Sequence, residues 1–291
     1  MATATASTRS GADANRKSVP RPRRRRGPIT WFREHVIVIA ATLAFIYLLL
    51  PNVIVVIFSF NKPNGRFNYT WSTFSTDAWT NICGAPGMCE SLGLSLKIGL
   101  VATIGATILG TMVAFALGRA RFRGRAQTNL LIFMPMATPE VVMGSSLLTL
   151  FINLSIPLGS TAILIAHIMF CLSFVVVTVK ARIAGLDPRL EQAAADLYAN
   201  EAQAFWRVTF PLVLPGIAAG GLLAFSLSFD DYIITNFNAT TSSVTFPMYV
   251  WGAAQRGTPV QINVIGTLMF VVALLAVITG QLLGQRRAGR K

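Results

Sequence analysis

The run from Asp187 to Pro215 reads DPRLEQAAADLYANEAQAFWRVTFPLVLP, the longest polar-rich piece between two strongly apolar stretches. Asp187 has the side chain of an N-cap acceptor, and Pro188 suits the first helical position. Leu190, Ala193, Ala194 and Leu197 then recur at i, i+3, i+4 and i+7, which places them on one helical face. Asn200 with Gln203 carries the pattern of a capping box for a further turn of helix, and Pro211 and Pro215 stand where the next apolar stretch begins. A short amphipathic helix strung between two membrane spans must press its apolar face on lipid or on protein. This face is narrow and lacks the Lys-rich flank of an interfacial helix, so protein is the expected partner.

Outward from that segment the chain becomes apolar. Of its 291 residues 53% are hydrophobic and only 12% charged, too few charges for a soluble surface of this size. Six stretches approach the ~20 residues a bilayer-spanning helix needs. They are residues 35–60 (interrupted by Pro51 and Asn52), 91–117, 128–153 (broken near Pro135 and Pro139), 160–179, 212–235 and 260–283. The expected fold is an all-α membrane protein of six transmembrane helices, with the short helix between spans four and five. The expected division is a disordered basic tail over 1–34, a membrane domain over 35–284 with the intervening loop at about 181–211, and a terminal tail over 285–291. Ala102, Ala106, Gly110, Ala114 and Gly118 recur every fourth residue in span two, and Gly216, Gly220, Ala224 and Ser228 do the same in span five. Such stripes let helices approach closely.

The net charge of +14 points to orientation rather than to nucleic acid. Arg9, Arg16, Lys17, Arg21, Arg23 to Arg26 and Arg33 precede span one; Arg119, Arg121, Arg123 and Arg125 follow span two. Lys180, Arg182, Arg189 and Arg207 flank the Asp187 segment, and Arg286, Arg287, Arg290 and Lys291 follow span six. Only Lys62, Arg66 and Arg256 fall on the other side, with Lys97 inside a span. This is the positive-inside pattern, with both termini and the Asp187 segment cytoplasmic. Cys83 and Cys89 then fall in an outer loop, where they can oxidise to a disulfide; two thiols alone make no metal site, and none is expected. Asn68-Tyr69-Thr70 and Asn238-Ala239-Thr240 match glycosylation acceptors, a frequent chance pattern.

There is no P-loop, no H-E-x-x-H and no G-x-S-x-G, so catalysis is not expected of this chain. His167 and Cys171 lie four apart in span four, and His167 reads as a packed side chain bonded to a neighbouring helix. Ionisable groups at membrane depth are another matter, because they cost several kcal/mol unless paired or hydrated. Glu140 follows a proline break, and Asp230 and Asp231 close span five. Adjacent helical side chains diverge by about 100°, so one Asp can face a lumen and the other a neighbouring helix. With Tyr232, Phe229 and Trp251 nearby, the acids form a lining suited to a cationic solute.

These segments resemble the inner-membrane permeases of ABC importers, whose motif E-A-A-x-x-x-G is followed, after nine intervening residues, by I-x-L-P. Here the stretch is Gln192-Ala193-Ala194-Ala195-Asp196-Leu197-Tyr198, then Val208-Thr209-Phe210-Pro211. Gln192 replaces the motif's Glu and Tyr198 its Gly, with Glu191 placed to supply the missing charge. From about Val36 onward the chain is similar to PotC-type permeases of spermidine/putrescine importers. Pro139-Glu140-Val141-Val142-Met143-Gly144, the run from His167 to Val179, and Ser226-Leu227-Ser228-Phe229-Asp230-Asp231-Tyr232 carry that likeness. The resemblance implies a type I importer permease in the bacterial inner membrane, taking up polyamines together with a second permease of PotB type, two ATPases of PotA type and an outer binding protein of PotD type. ATP and Mg would be bound by the ATPases, and this chain would hold no cofactor. Leu190, Gln192, Ala193, Ala194, Leu197 and Tyr198 would dock on the ATPase; Asp230, Asp231, Glu140, Tyr232 and Trp251 would line the path. The alternatives are an importer permease for another cationic or small solute, or a passive channel.

Overall fold

An apolar chain in a bilayer has no water to satisfy its backbone, so its hydrogen bonds must close internally, and here they close as helices. The computed structural model describes residues 28–119, 122–187 and 189–288. In chain order it contains α1 (Pro28–Phe58), a hairpin of β1 (Asn61–Lys62) and β2 (Thr73–Phe74), α2 (Asp77–Thr80), α3 (Met88–Arg119), α4 (Arg125–Ala137) and α5 (Glu140–Asn153). Then come α6 (Ser160–Ala184), α7 (Arg189–Asp196), α8 (Glu201–Ala204), a π-helical segment (Phe205–Thr209), α9 (Phe210–Asp230), α10 (Ile233–Asn238), α11 (Phe246–Arg256) and α12 (Val260–Ala288). In β1 and β2 Asn61 pairs with Phe74 and Lys62 with Thr73, antiparallel.

Among the described residues five helices are long and apolar enough to cross a membrane: His35–Phe58, Met88–Arg119, Ser160–Ala184, Glu201–Asp230 and Val260–Gly280. The pair α4 and α5 qualifies together as a sixth but bends by 108°. The proline break expected there is thus an unwound, sharp bend at Pro139, while α4 runs through Pro135. Its cause is local: a residue before proline is pushed out of the helical region. Thr138 lies at φ −81°, ψ 131° and Pro139 at φ −57°, ψ 132°, two successive extended residues between two helices.

Three expected boundaries shift. The interruption at Pro51 and Asn52 is absent, since α1 runs through both; Asn52 Nδ2 donates to the Leu48 carbonyl at 3.3 Å. The tail expected over 1–34 is already helical from Pro28, a residue favoured at a first helical position. The tail expected over 285–291 is helical to Ala288. Residues 1–27, 120–121, 289–291 and Pro188, on which parts of the tail, charge and capping expectations fall, lie outside the described residues.

The chain forms two compact units, Met1–Val53 and Ile54–Lys291. In the first, the described side chains of α1 are mostly exposed, including Ile37, Leu43, Tyr47 and Leu48. The second is built on α3, α6 and α9, and its core includes Ala106, Ala114, Val175, Val176, Val213 and Ala224. Both small-residue stripes face into it. A Cβ on Gly110 would come within 2.9 Å of Val175 Cβ and 3.3 Å of the Leu172 carbonyl, so α3 and α6 touch almost backbone to backbone. On α9, Gly220 packs on Val175 and Gly216 on Arg182. Cys89 lies in the first turn of α3 and Arg119 in its last, about 45 Å apart at 1.5 Å per residue.

Candidate functional site

The break after α9 is made by Asp231, which leaves the helix at φ −62°, ψ 125°. Its carboxylate caps the start of α10: Ile234 N donates to Oδ1 at 3.3 Å, and Thr235 N and Thr235 Oγ1 donate to Oδ2 at 2.8 and 2.7 Å. The fourth partner comes from α6, where His167 Nε2 lies 3.2 Å from Asp231 Oδ2 and 3.0 Å from Thr235 Oγ1. His167 Nδ1 lies 2.7 Å from Ser228 Oγ. Because the Thr235 hydroxyl already donates to Asp231, the proton of a neutral imidazole belongs on Nε2. Nδ1 then accepts from Ser228, and every atom in the group has a partner of the right sign. His167, Ser228, Asp231 and Thr235 are all buried. The packing expected of His167 is therefore a polar network that ties α6 to the end of α9 and the start of α10. The Cys171 thiol, one turn along α6, donates to the Ala224 carbonyl at 3.4 Å.

Asp230 points elsewhere. It is exposed and lines a cavity of about 680 Å³ together with Glu140, Asp231, Tyr232 and Trp251. The five residues singled out from the sequence as a lining thus border one space. Glu140 arrives from the first turn of α5, the Asp pair from the α9 break, and Trp251 from α11. The Tyr232 and Trp251 rings lie 5.4 Å apart, and Phe170, Phe229 and Phe246 add apolar wall. The Asp pair divides its tasks as adjacent positions allow: Asp231, 8% exposed, holds the fold, while Asp230 faces the cavity. Acidic groups set among aromatic faces can attract and desolvate a cation.

At the Arg119 end of the bundle, α7 presents the Asp187 segment. Ala194 is its one buried residue. Leu190, Gln192, Ala193, Leu197 and Tyr198 are all exposed. The single face expected for Leu190, Ala193, Ala194 and Leu197 is split: Ala194 turns inward, and Leu197 lies past the helix end at Asp196. Tyr198 then takes φ 62°, the left-handed conformation that suits glycine and costs other residues roughly 1–2 kcal/mol. Its side chain is 97% exposed. Glu191, expected to supply the motif's missing charge, is half-buried. Its carboxylate turns into its own chain, paired with Arg119 and accepting from Thr209 Oγ1 at 2.5 Å. The second capping pattern appears as expected: Gln203 N donates to Asn200 Oδ1 at 2.8 Å and Asn200 N to Gln203 Oε1 at 3.2 Å.

Cys83 and Cys89 form a disulfide with Cα atoms 5.5 Å apart, at the opposite end of α3 from Glu191's partner. Both acceptor-like triplets are closed to modification in this fold. Asn238 is fully buried, and Asn68 bonds to Asn61 and to the Phe58 carbonyl. Sequence reasoning gave no role to Thr209, Thr235 or Phe205. A polar residue at the end of a small-residue stripe is the available signal for Ser228, and for Arg119, which follows Gly118.

Residues 106–287 match the family described as binding-protein-dependent transport system inner membrane component. The chain belongs to that family of multi-pass inner-membrane transport proteins. It is similar to the spermidine/putrescine transport system permease protein PotC of Escherichia coli (strain K12), 35% identical over 244 residues that cover 84% of this chain and 92% of that protein. The putrescine transport system permease protein PotI of the same organism is 36% identical over 239 residues, covering 80% and 84%. Among solved structures, a bacterial ABC transporter involved in the import of the acidic polysaccharide alginate aligns at a TM-score of 0.61. It is 18% identical, with 88% of this chain and 97% of that chain covered, a likeness of fold alone.

Proposed function

We propose that this chain is a permease subunit of an ATP-driven importer of polyamines such as spermidine and putrescine. The observation that carries the reading is the cavity that gathers Glu140, Asp230, Asp231, Tyr232 and Trp251 at the break of α9. It joins carboxylates and aromatic faces where a flexible polycation needs both, and the relatives PotC and PotI bear polyamine names. A second permease of PotB type completes the path, an outer protein of PotD type delivers the solute, and two ATPases of PotA type hydrolyse ATP. The chain itself is non-catalytic and holds no cofactor.

In this reading there are six spans, with the α4–α5 pair as the third, and α7 lies on the cytoplasmic face as the helix gripped by an ATPase. Two features support that orientation. Arg119, Arg123, Arg125, Lys180, Arg182, Arg189 and Arg207 collect toward the α7 end, and the disulfide lies at the other end of α3. The exposed apolar side chains Leu190 and Leu197, with Tyr198, supply the docking surface. Both termini are cytoplasmic in this reading.

The test is ATP-dependent uptake of labelled spermidine and putrescine by vesicles holding the full complex, with Asp230→Asn beside wild type. Uptake that fails to respond to either polyamine but responds to another amine would reassign the solute. Uptake that persists without the ATPase subunits would make the chain a passive channel.

A further inference from the structure

The junction beneath α7 is more elaborate than a loop anchor requires. Arg119, the last residue of α3, donates from Nη2 to the Glu191 carboxylate and, at 3.1 Å, to Thr209 Oγ1. Thr209 Oγ1 in turn donates to the same Glu191 oxygen. Each of the three side chains thus bonds the other two. The Arg119 guanidinium also lies 5.7 Å from the ring centres of both Phe115 and Phe205, which meet edge to face at 5.2 Å. Arg119 and Phe115 belong to α3, Glu191 to α7, and Phe205 and Thr209 to the π-helical segment that leads into α9.

That π-helical segment, Phe205–Thr209, is one turn of i→i+5 backbone set between α8 and α9. Such turns are local irregularities at which helices bend, and they recur at functional sites. Thr209 closes the segment and is 2% exposed, so its hydroxyl is held inside the junction. Beyond it α9 continues as a 21-residue helix about 30 Å long, with Pro215 inside it, whose far end is Asp230 at the cavity. Force on the exposed face of α7 therefore has a defined route: through Glu191 to Thr209, about the π-helical turn, and along α9 to the cavity wall.

We propose that the Arg119–Glu191–Thr209 junction is the link that converts displacement of α7 into movement of α9, with the π-helical turn as its hinge and Arg119 as the strut on α3. The proposal rests on α7 being the ATPase-gripped helix. Arg119 and Glu191 are positioning residues: they touch neither solute nor nucleotide, and they set how far a movement of one element is passed to the next. Rigid elements joined through a packed polar contact transmit motion in a way that a flexible tether does not.

The experiment uses the assembled importer in proteoliposomes and reads three quantities: ATPase co-purification, ATP hydrolysed, and labelled spermidine taken up. Variants are Glu191→Gln, Arg119→Gln, Thr209→Val and the exchanged pair Arg119→Glu with Glu191→Arg. The expected result is that the single variants bind the ATPase at wild-type stoichiometry and hydrolyse ATP, while solute delivered per ATP falls at least about five-fold, the lower end of typical coupling between sites. The exchanged pair recovers more than half of the lost ratio. Labelling of the buried Cys171 thiol at the wild-type rate confirms that the bundle is intact in Glu191→Gln, the mildest change. Wild-type solute per ATP in all single variants overturns the proposal. Loss of ATPase association in the single variants also overturns it, because the junction then only holds the loop in place. Failure of the ATPase to bind wild type would instead overturn the reading of α7 itself.

Discussion

Replacing Asp230 and Asp231 separately by Ala should give opposite outcomes, although the two residues are neighbours and share a charge. Asp231→Ala removes the acceptor of Thr235 N, Thr235 Oγ1 and His167 Nε2, at 2.8, 2.7 and 3.2 Å, and of Ile234 N at 3.3 Å. All four groups are buried within the bundle. In a membrane the unfolded reference finds partners too, so interhelical hydrogen bonds contribute only about 0.6 kcal/mol on average and at most about 1.7. Three strong bonds at or above that mean give a loss of about 2–4 kcal/mol. At about 2–4 °C per kcal/mol the melting temperature in nanodiscs should fall by roughly 4–16 °C. Asp230→Ala removes an exposed carboxylate that bonds no neighbouring element in this way, and its stability should stay within about 0.5 kcal/mol of wild type. Cys171, the free cysteine of the chain, provides a local readout, because its thiol bonds the Ala224 carbonyl one turn from Ser228. Its labelling by a thiol reagent should accelerate in Asp231→Ala and not in Asp230→Ala, while polyamine uptake should fall in both. Equal melting temperatures for the two variants, or unchanged Cys171 labelling in Asp231→Ala, would refute the division of labour between them.

Gly110→Ala places a methyl against Val175 and the Leu172 carbonyl, and should destabilise the α3–α6 pair by about 1–3 kcal/mol as overpacking, measurable as a lower melting temperature. Tyr198→Ala keeps the left-handed backbone requirement at φ 62° but removes an aromatic group of the size that often anchors interfaces; affinity for the ATPase should drop by about 1–2 kcal/mol, read by binding of purified ATPase to nanodiscs, with the melting temperature of the free permease unchanged. Asp77, outside the spans, has its carboxyl held below the ordinary 3.8 by the Lys62 hydrogen bond at 3.1 Å. A depressed acid contributes its share of stability above the unfolded value and loses it as pH falls through the folded one, so Lys62→Met should return Asp77 toward the ordinary range in a pH titration followed by NMR.

An all-helical chain with several membrane-length helices and the gathering of acids at the α9 break were legible because both arise from composition: apolar length sets one, and the penalty on buried charge marks the other. The small-residue stripes at Ala102 to Gly118 and Gly216 to Ser228 were legible for the same reason, since a period of four admits close contact and little else. The sharp bend between Ala137 and Glu140 was only half visible. Pro139 announces a break, but the direction the chain takes afterwards is set by two extended residues and by the packing of Gly144 against Phe237 and Ile234. The inward turn of Glu191 could not be read at all, because it depends on Arg119, which stands far away in sequence on another helix. In the same way His167 revealed its period but not its partners, which come from residues beyond position 227.

The bend at Pro139 also bears on the charge beside the cavity. It brings the first residue of α5, Glu140, to the space beside Asp230, and the start of a helix carries the unsatisfied amide groups and the equivalent of about half a positive charge. Left bare, that end would repel an incoming amine. Glu140 occupies the first turn of α5, so a full negative charge stands at the tip of the half-helix, and under the proposed function a broken span of the kind that elsewhere welcomes anions becomes hospitable to cations.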